Sequence, residues 1–166
     1  MSDSGHVKQS IDCDSVAWPP TAEKIAEAVP NLLRMSESCD CIAESVRRGA
    51  DPNDIAASIV AAFGLSAKLS VSALETCFDL GGDVNHRFTR DTNTIDGDEF
   101  LLLTLADVGN FSAAEMLIKR GADVNACTKK NGMSCVWLAA EHGRVDLLRL
   151  FLAVPGCKVD QPKFLP

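Results

Sequence analysis

Gly-Ala-Asp-Val-Asn stands at residues 121–125, and the same five-residue pattern occurs three more times along the chain. Its other copies are Gly49-Ala-Asp-Pro-Asn53, Gly81-Gly-Asp-Val-Asn85 and a degraded Gly156-Cys-Lys-Val-Asp160. The first glycines, at 49, 81, 121 and 156, are separated by 32, 40 and 35 residues. Recurrence at such intervals is typical of a chain built by stacking one structural unit. The pentads therefore predict a repeat protein whose repeats end near residues 53, 85, 125 and 160.

Two of the pentads come directly after a segment with the pattern of an amphipathic helix. Ile42-Ala-Glu-Ser-Val-Arg-Arg-Gly49 and Ala114-Glu-Met-Leu-Ile-Lys-Arg-Gly121 both end in two basic residues and a glycine. Glycine readily adopts the positive φ that ends a helix, and basic side chains are favourable at the negative end of the helix dipole. Asp and Asn then hydrogen-bond locally and turn the chain. The pentad is thus predicted to be a repeated helix stop followed by a turn.

The best-kept helical unit lies between the last two pentads. It reads Asn131-Gly-Met-Ser-Cys-Val-Trp-Leu-Ala-Ala-Glu-His-Gly-Arg-Val-Asp-Leu-Leu-Arg-Leu-Phe-Leu152. This stretch resembles the ankyrin repeat pattern, G-x-T-P-L-H-L-A-A-x-x-G-H followed by a Leu-rich second helix. The resemblance implies that Ser134 caps the first helix and that the paired alanines at 139 and 140 allow close helix packing. The family's Pro and His are replaced here by Cys135 and Trp137.

The resemblance weakens towards the amino terminus. Residues 98–110 keep Gly109 but have Phe100-Leu-Leu-Leu103 where the family has T-P-L-H, so we expect this helix to lack its cap. The resemblance implies an all-α, right-handed solenoid of about four ankyrin-like helical hairpins, of which the first two are divergent. It divides the chain into a flexible arm at 1–20, an ankyrin-repeat domain at 21–160 and a short tail at 161–166.

Composition and charge exclude several other classes of protein. Hydrophobic residues make up 46% of the chain and aromatic residues only 5%, with no Tyr, which favours packed helices over sheets. A formal net charge of −7 opposes binding to nucleic acid, since that binding relies on clustered Lys and Arg. No apolar run approaches the length needed to span a membrane. The seven cysteines form no even disulfide set, which favours a reducing compartment, the cytoplasm or the nucleus.

The sequence carries no recognisable catalytic or metal-binding motif, so we expect neither an enzyme nor a cofactor. Cys39-x-Cys41 is the only close cysteine pair, but a structural zinc site needs a second Cys or His pair at suitable spacing. Asp96, Asp98 and Glu99 form the densest acidic cluster, yet they lack the alternating ligands of a calcium loop. Core packing for the cysteines and a solvated loop for the acids are the better interpretations.

The resemblance implies a protein–protein interaction module that binds a partner through a concave groove and the tips of its hairpins. The alternative is that the chain is the adaptor or recognition part of a larger enzyme complex, such as a ubiquitin ligase or a signalling inhibitor. Acidic residues among the implied contacts favour a partner with a basic surface. By position in the repeat, the implied contact residues are Asp96, Glu99, Asp107, Val108, Lys130, Asn131, Met133, Glu141 and His142.

Two further segments are candidates for binding. His86 to Gly97 contains the extra residues of the 40-residue interval, and an enlarged hairpin there is expected to extend Arg87, Phe88 and Arg90 beyond the stack. The last helix is the second candidate, since its apolar residues cannot all face the preceding repeat. Some of them are expected to pack against another protein, a second copy or further sequence. These residues are Leu147, Leu148, Leu150, Phe151 and Leu152.

Overall fold

The computed structural model describes residues 38–63, 71–88, 99–129 and 131–160. Within these ranges it contains seven helices: α1 (Ser38–Arg47), α2 (Pro52–Phe63), α3 (Val71–Asp79), α4 (Leu101–Val108), α5 (Phe111–Lys119), α6 (Cys135–Glu141) and α7 (Val145–Leu152). Two short strands, β1 (Arg87–Phe88) and β2 (Glu99–Phe100), pair antiparallel. The predicted arm at 1–20 and the tail at 161–166 lie outside the described residues.

The helices pack in two rows. Helices α2, α4 and α6 contact one another in order and form what we call the first row. Helices α1, α3, α5 and α7 contact one another in order and form the second row. Each first-row helix also packs against the helix that follows it in the chain, giving the pairs α2–α3, α4–α5 and α6–α7. Three helical hairpins are therefore present in the described residues, and each pair packs against the next.

The helix ends follow the predicted chemistry. The pentad glycines Gly49, Gly81, Gly121 and Gly156 all have positive φ, between 81° and 100°, as a glycine helix stop requires. Ser134 caps α6, because its Oγ accepts a hydrogen bond from the backbone N of Trp137 at 3.2 Å. Phe100 precedes α4 without a side-chain cap bond. Both expectations, a capped α6 and an uncapped α4, are confirmed.

The pentads join successive repeats as well as ending them. Within each of the first three pentads the Asp carboxylate accepts from the Asn backbone N two residues later, which closes the predicted local turn. The Asn Oδ1 then accepts from a backbone N in the next pentad. These bonds run from Asp83 to Asn53 at 2.7 Å, from Asp123 to Asn85 at 2.8 Å and from Lys158 to Asn125 at 2.7 Å. The pentads thus form a hydrogen-bonded ladder along the stack.

The described residues are mostly helical, as predicted, and they also contain a small amount of sheet. Residues 87–88 and 99–100 form a two-stranded ladder, and an isolated bridge joins Cys127 to Ser134. In both places, the residues just before a first-row helix pair with the residues that follow the preceding pentad. These are 99–100 with 87–88 before α4, and Ser134 with Cys127 before α6. Pairing satisfies backbone groups that would otherwise be buried without partners. Within the described residues, the two strands and the bridge lie at the hairpins and the helices predominate.

The core runs continuously between the two rows. It consists of apolar side chains from every described helix, together with the valine and alanine of the third pentad. Its largest fully buried members include Ile59, Leu74, Leu103, Leu117 and Phe151. Within the described ranges, no helix has the length and apolar character needed to cross a membrane.

Candidate functional site

Polar side chains from two neighbouring repeats meet at the ends of α4 and α6. Asp107, near the end of α4, lies beside His142, which follows α6, with 3.4 Å between Oδ1 and Nδ1. Glu141 is exposed and precedes His142 in the chain. We call Asp107, Val108, Glu141 and His142 the first-row patch. Two of the residues implied by the family resemblance, Asp107 and His142, are therefore in contact, and the other two are their neighbours in the chain.

Arg144 adds a positive charge beside this patch. Its guanidinium lies against Gly109, where an added Cβ would approach Arg144 Cζ to 2.6 Å, and its Nη2 donates to the carbonyl oxygen of Val108 at 3.4 Å. Gly109 has a φ of 82°, so its backbone conformation favours glycine. The patch therefore has a basic side chain next to its carboxylates.

Two of the implied contact residues are buried, so the expectation that they meet a partner is not supported. Glu99 is 0% exposed, and its Oε2 accepts from Thr104 Oγ1 at 3.1 Å. Met133, at the same position one repeat later, is 7% exposed, and its backbone exchanges bonds with Thr128. Both lie in the extended segments that pair beneath the hairpins. Both side chains are therefore enclosed by the protein.

The enlarged hairpin also differs from its prediction. Arg87 is half-buried, donates from Nη2 to the carbonyl oxygen of Cys127 at 3.0 Å and lies 5.5 Å from the centre of the Phe100 ring. Phe88 is half-buried against the core. Neither residue extends beyond the stack. The Arg87 guanidinium contacts Cys127 and the Phe100 ring, and the Phe88 side chain packs against the core. Arg90, Asp96 and Lys130 lie outside the described residues, and Asn131 is half-buried.

The thiols of the last two repeats are poorly suited to nucleophilic chemistry. Burial raises the pKa of Cys135, which is completely enclosed. Burial is also the largest cause of the raised pKa values of Cys127 and Cys157. A thiol that stays protonated at neutral pH is a weak nucleophile. In the described part of the chain, no three His, Cys, Asp or Glu side chains are grouped closely enough to hold a metal ion.

A second surface feature lies between α5 and α7 in the second row. It is a shallow groove of about 380 Å³ lined by Phe111, Asp146, Arg149 and Leu150. Phe111 is 41% exposed although it is a large aromatic residue. Sequence reasoning missed this groove. One feature of the sequence could have indicated it. Phe111, an aromatic residue, directly follows Asn110, the N-cap of α5, at a position that faces away from the core.

The family comparison agrees with this geometry. Residues 102–152, from within α4 to the end of α7, match the family model described as ankyrin repeats in many copies. A search of the curated proteins finds no match to the chain. Residues 102–152 are therefore similar to ankyrin repeats. Repeats of this family are generally protein–protein interaction modules, and their stacked units present extended binding surfaces.

Proposed function

We propose that the chain is a protein-binding module, a solenoid of about four ankyrin-like repeats that holds a partner protein against its first row. The observation that supports this most is the first-row patch, where Asp107 and His142 lie 3.4 Å apart across two repeats. Stacked repeats present their side chains along one extended surface, which a single partner can contact. The proposed activity is binding, without turnover.

We propose further that the partner presents a basic surface. The chain has a formal net charge of −7. Asp54 on α2 and Glu141 on α6 are exposed in the same row as the half-buried Asp107 on α4. The carboxylates of Asp51, Asp83 and Asp123 are exposed along the ladder of pentads. Opposite charges on a partner speed association and select against acidic competitors.

The test compares two charge-matched double variants. In Asp107→Lys with Glu141→Lys the first-row patch loses both carboxylates, whereas Glu75→Lys with Glu115→Lys makes the same charge change on the second-row helices α3 and α5. Proteins recovered by each bait are quantified by mass spectrometry against the wild type. We expect the first variant to lose the specific partners at least tenfold, about 1.4 kcal/mol, and the second to retain them.

Salt dependence provides the second measurement. Exposed charges interact over about 8 Å at physiological ionic strength and over shorter distances in more salt. Recovery of the partners by the wild type is therefore expected to fall as salt is raised. Equal recovery by both double variants, or recovery that salt does not change, would show that the first-row patch is not the binding surface.

A further inference from the structure

Arg144 stands at a position where the preceding repeat has a helix cap. Helices α5 and α7 begin at residues 111 and 145, so Asn110 and Arg144 hold the same position in their repeats. Asn110 caps α5, because its Oδ1 accepts a hydrogen bond from the backbone N of Ala113 at 3.2 Å. Arg144 makes no such bond at the start of α7. A guanidinium has no acceptor, so this position holds a positive charge in place of a cap.

The guanidinium of Arg144 reaches the preceding repeat beside the first-row patch. It lies against Gly109, and its Nη2 is 3.4 Å from the carbonyl oxygen of Val108, which directly follows Asp107 in the chain. Arg144 is exposed, and among the described residues it forms no ion pair with a carboxylate. A guanidinium has five N–H donors in a planar fork that matches a carboxylate. Donors of Arg144 are therefore available to a partner.

Arg120 shows what an exposed arginine binds across two neighbouring repeats of this molecule. Its Nη1 pairs with Oδ1 of Asp79, at the end of α3, at a distance of 2.8 Å. Its guanidinium also lies 5.8 Å from the ring centre of Phe78. Arg144 likewise contacts the preceding repeat, but it meets a backbone carbonyl there and no carboxylate of the described residues. The carboxylate that would complete its contacts is one that a partner can supply.

We infer, on the basis of the proposed function, that Arg144 determines the specificity of the first-row patch by selecting a partner segment in which an acidic side chain accompanies a basic one. Asp107 and Glu141 attract a basic side chain, whereas a further basic side chain beside Arg144 meets a like charge. A carboxylate at that place pairs with the guanidinium, and its bidentate geometry adds direction to the attraction. Repulsion by Arg144 then discriminates against a uniformly basic partner.

Selection from a random peptide library displayed on phage tests this specificity, with the purified full chain as the bait. We expect the wild type to enrich peptides in which Asp or Glu stands close to a Lys or Arg. Arg144→Glu reverses the charge, so the ratio of purely basic to mixed-charge peptides should rise by about fivefold or more. Arg149→Glu is the matched control, because it makes the same change at an exposed arginine of the second-row groove. It should enrich the same peptides as the wild type.

Peptide affinities separate recognition of the acidic residue from a general effect on folding. A mixed-charge peptide enriched by the wild type is compared with a form in which its acidic residue is replaced by the amide, and both are titrated by fluorescence anisotropy. The wild type should bind the amide form about two- to fivefold more weakly, as expected for an exposed ion pair. Arg144→Gln should bind both forms equally, because the group that binds the carboxylate is gone. A variant that binds both forms more weakly but keeps the wild-type ratio overturns the inference, since Arg144 then has only a structural role.

The enriched peptides also show whether the specificity or the proposed function has failed. Peptides rich in Lys and Arg without acidic neighbours overturn the role of Arg144 and leave the basic partner of the first-row patch in place. The proposed function fails together with the inference if the wild type enriches no basic peptides. Both also fail if Asp107→Lys with Glu141→Lys enriches the same peptides as the wild type.

Discussion

The side chain of Asn125 joins two repeats through both ends of its amide. Its Oδ1 accepts from the backbone N of Lys158 at 2.7 Å, and its Nδ2 donates to the carbonyl oxygen of Gly156 at 2.9 Å. Asn85 makes the same two bonds to the third pentad, with Nδ2 3.3 Å from the oxygen of Gly121. Both bonds require an amide, since neither a carboxylate nor a hydroxyl has this combination of acceptor and donor in one plane.

Replacing Asn125 by Ala is therefore expected to reduce the free energy of unfolding by about 1–2 kcal/mol, because two bonds of modest net value are lost. Urea unfolding followed by circular dichroism measures the change. Asn53→Ala is the comparison, since the Asn53 side chain accepts from Asp83 N at 2.7 Å and should cost about half as much. Two variants that unfold like the wild type would show that the ladder adds nothing to stability.

The pentad also shows how far local reasoning reaches. A Gly-x-Asp-x-Asn pattern predicts a positive φ and an Asx turn, because both depend on residues within the pentad. The bond from Asn125 to Lys158 spans 33 positions, and nothing near either residue indicates it. The repeat period brings the two pentads together. Only the stacked structure shows which atoms then meet.

The start of α4 shows how packing can replace capping at the level of a helix. Phe100 is 3% exposed at the position where Ser134 caps α6, and no side chain caps α4. Its ring packs in the core and lies beneath the guanidinium of Arg87. A side-chain cap contributes about 1 kcal/mol, whereas truncating a buried Phe costs about 3–5 kcal/mol. The ring is therefore worth more at this position than the cap that it displaces.

Phe100→Ser consequently restores a family-like cap and still destabilises the protein. The expected net loss is about 2–4 kcal/mol, the difference between the lost ring and the gained cap. Ser134→Ala, the matched change at α6, removes only a cap and should cost about 1 kcal/mol. Thermal unfolding of both variants and the wild type measures which variant loses more stability. A Phe100→Ser chain as stable as the wild type would contradict this account of α4.

Helices long enough to show a periodic apolar pattern were predictable from the sequence, whereas strands of two residues were not. The apolar stripe of α5 and the Leu-rich α7 follow from helical spacing. Strands of two residues, such as 87–88 and 99–100, have no period to detect. Glu99 lies in the second of these strands and is completely buried. The family resemblance had implied that its carboxylate lies at the surface. Asp107 and His142 lie at helix ends, which the sequence pattern predicts, so their placement was easier to predict than that of Glu99.

The described helix pairs pack against one another in order, so each pair is stabilised by its neighbours. Helix α4 packs against α2 on one side and α6 on the other, whereas α7 packs against α5 and α6. Stability in such a stack is a sum of the repeats and the interfaces between neighbours. Damage to the α6–α7 pair is therefore expected to stay local, and damage to α4 to spread in both directions.

Leu147→Ala and Leu103→Ala test this at the scale of the stack. Both leucines are almost completely buried, and removing either side chain costs about 2–5 kcal/mol at its own site. Hydrogen exchange followed by mass spectrometry should show lost protection confined to α6 and α7 in Leu147→Ala. In Leu103→Ala, protection should fall in α2 and α6 as well, because α4 is their common neighbour.

The spatial pattern of exchange decides between a linear stack and a single cooperative domain. Uniform loss of protection across α2 to α7 in Leu147→Ala would mean that the repeats unfold as one unit, and the neighbour account would fail. In a stack with nearest-neighbour stability, the α6–α7 pair is expected to unfold at a lower free energy than α4–α5, because it packs against one neighbouring pair and α4–α5 packs against two. A partner that binds the folded α6–α7 pair then raises the protection of α6 and α7 first, since binding to the folded state stabilises it by mass action. Protection of α2 and α3 should change less.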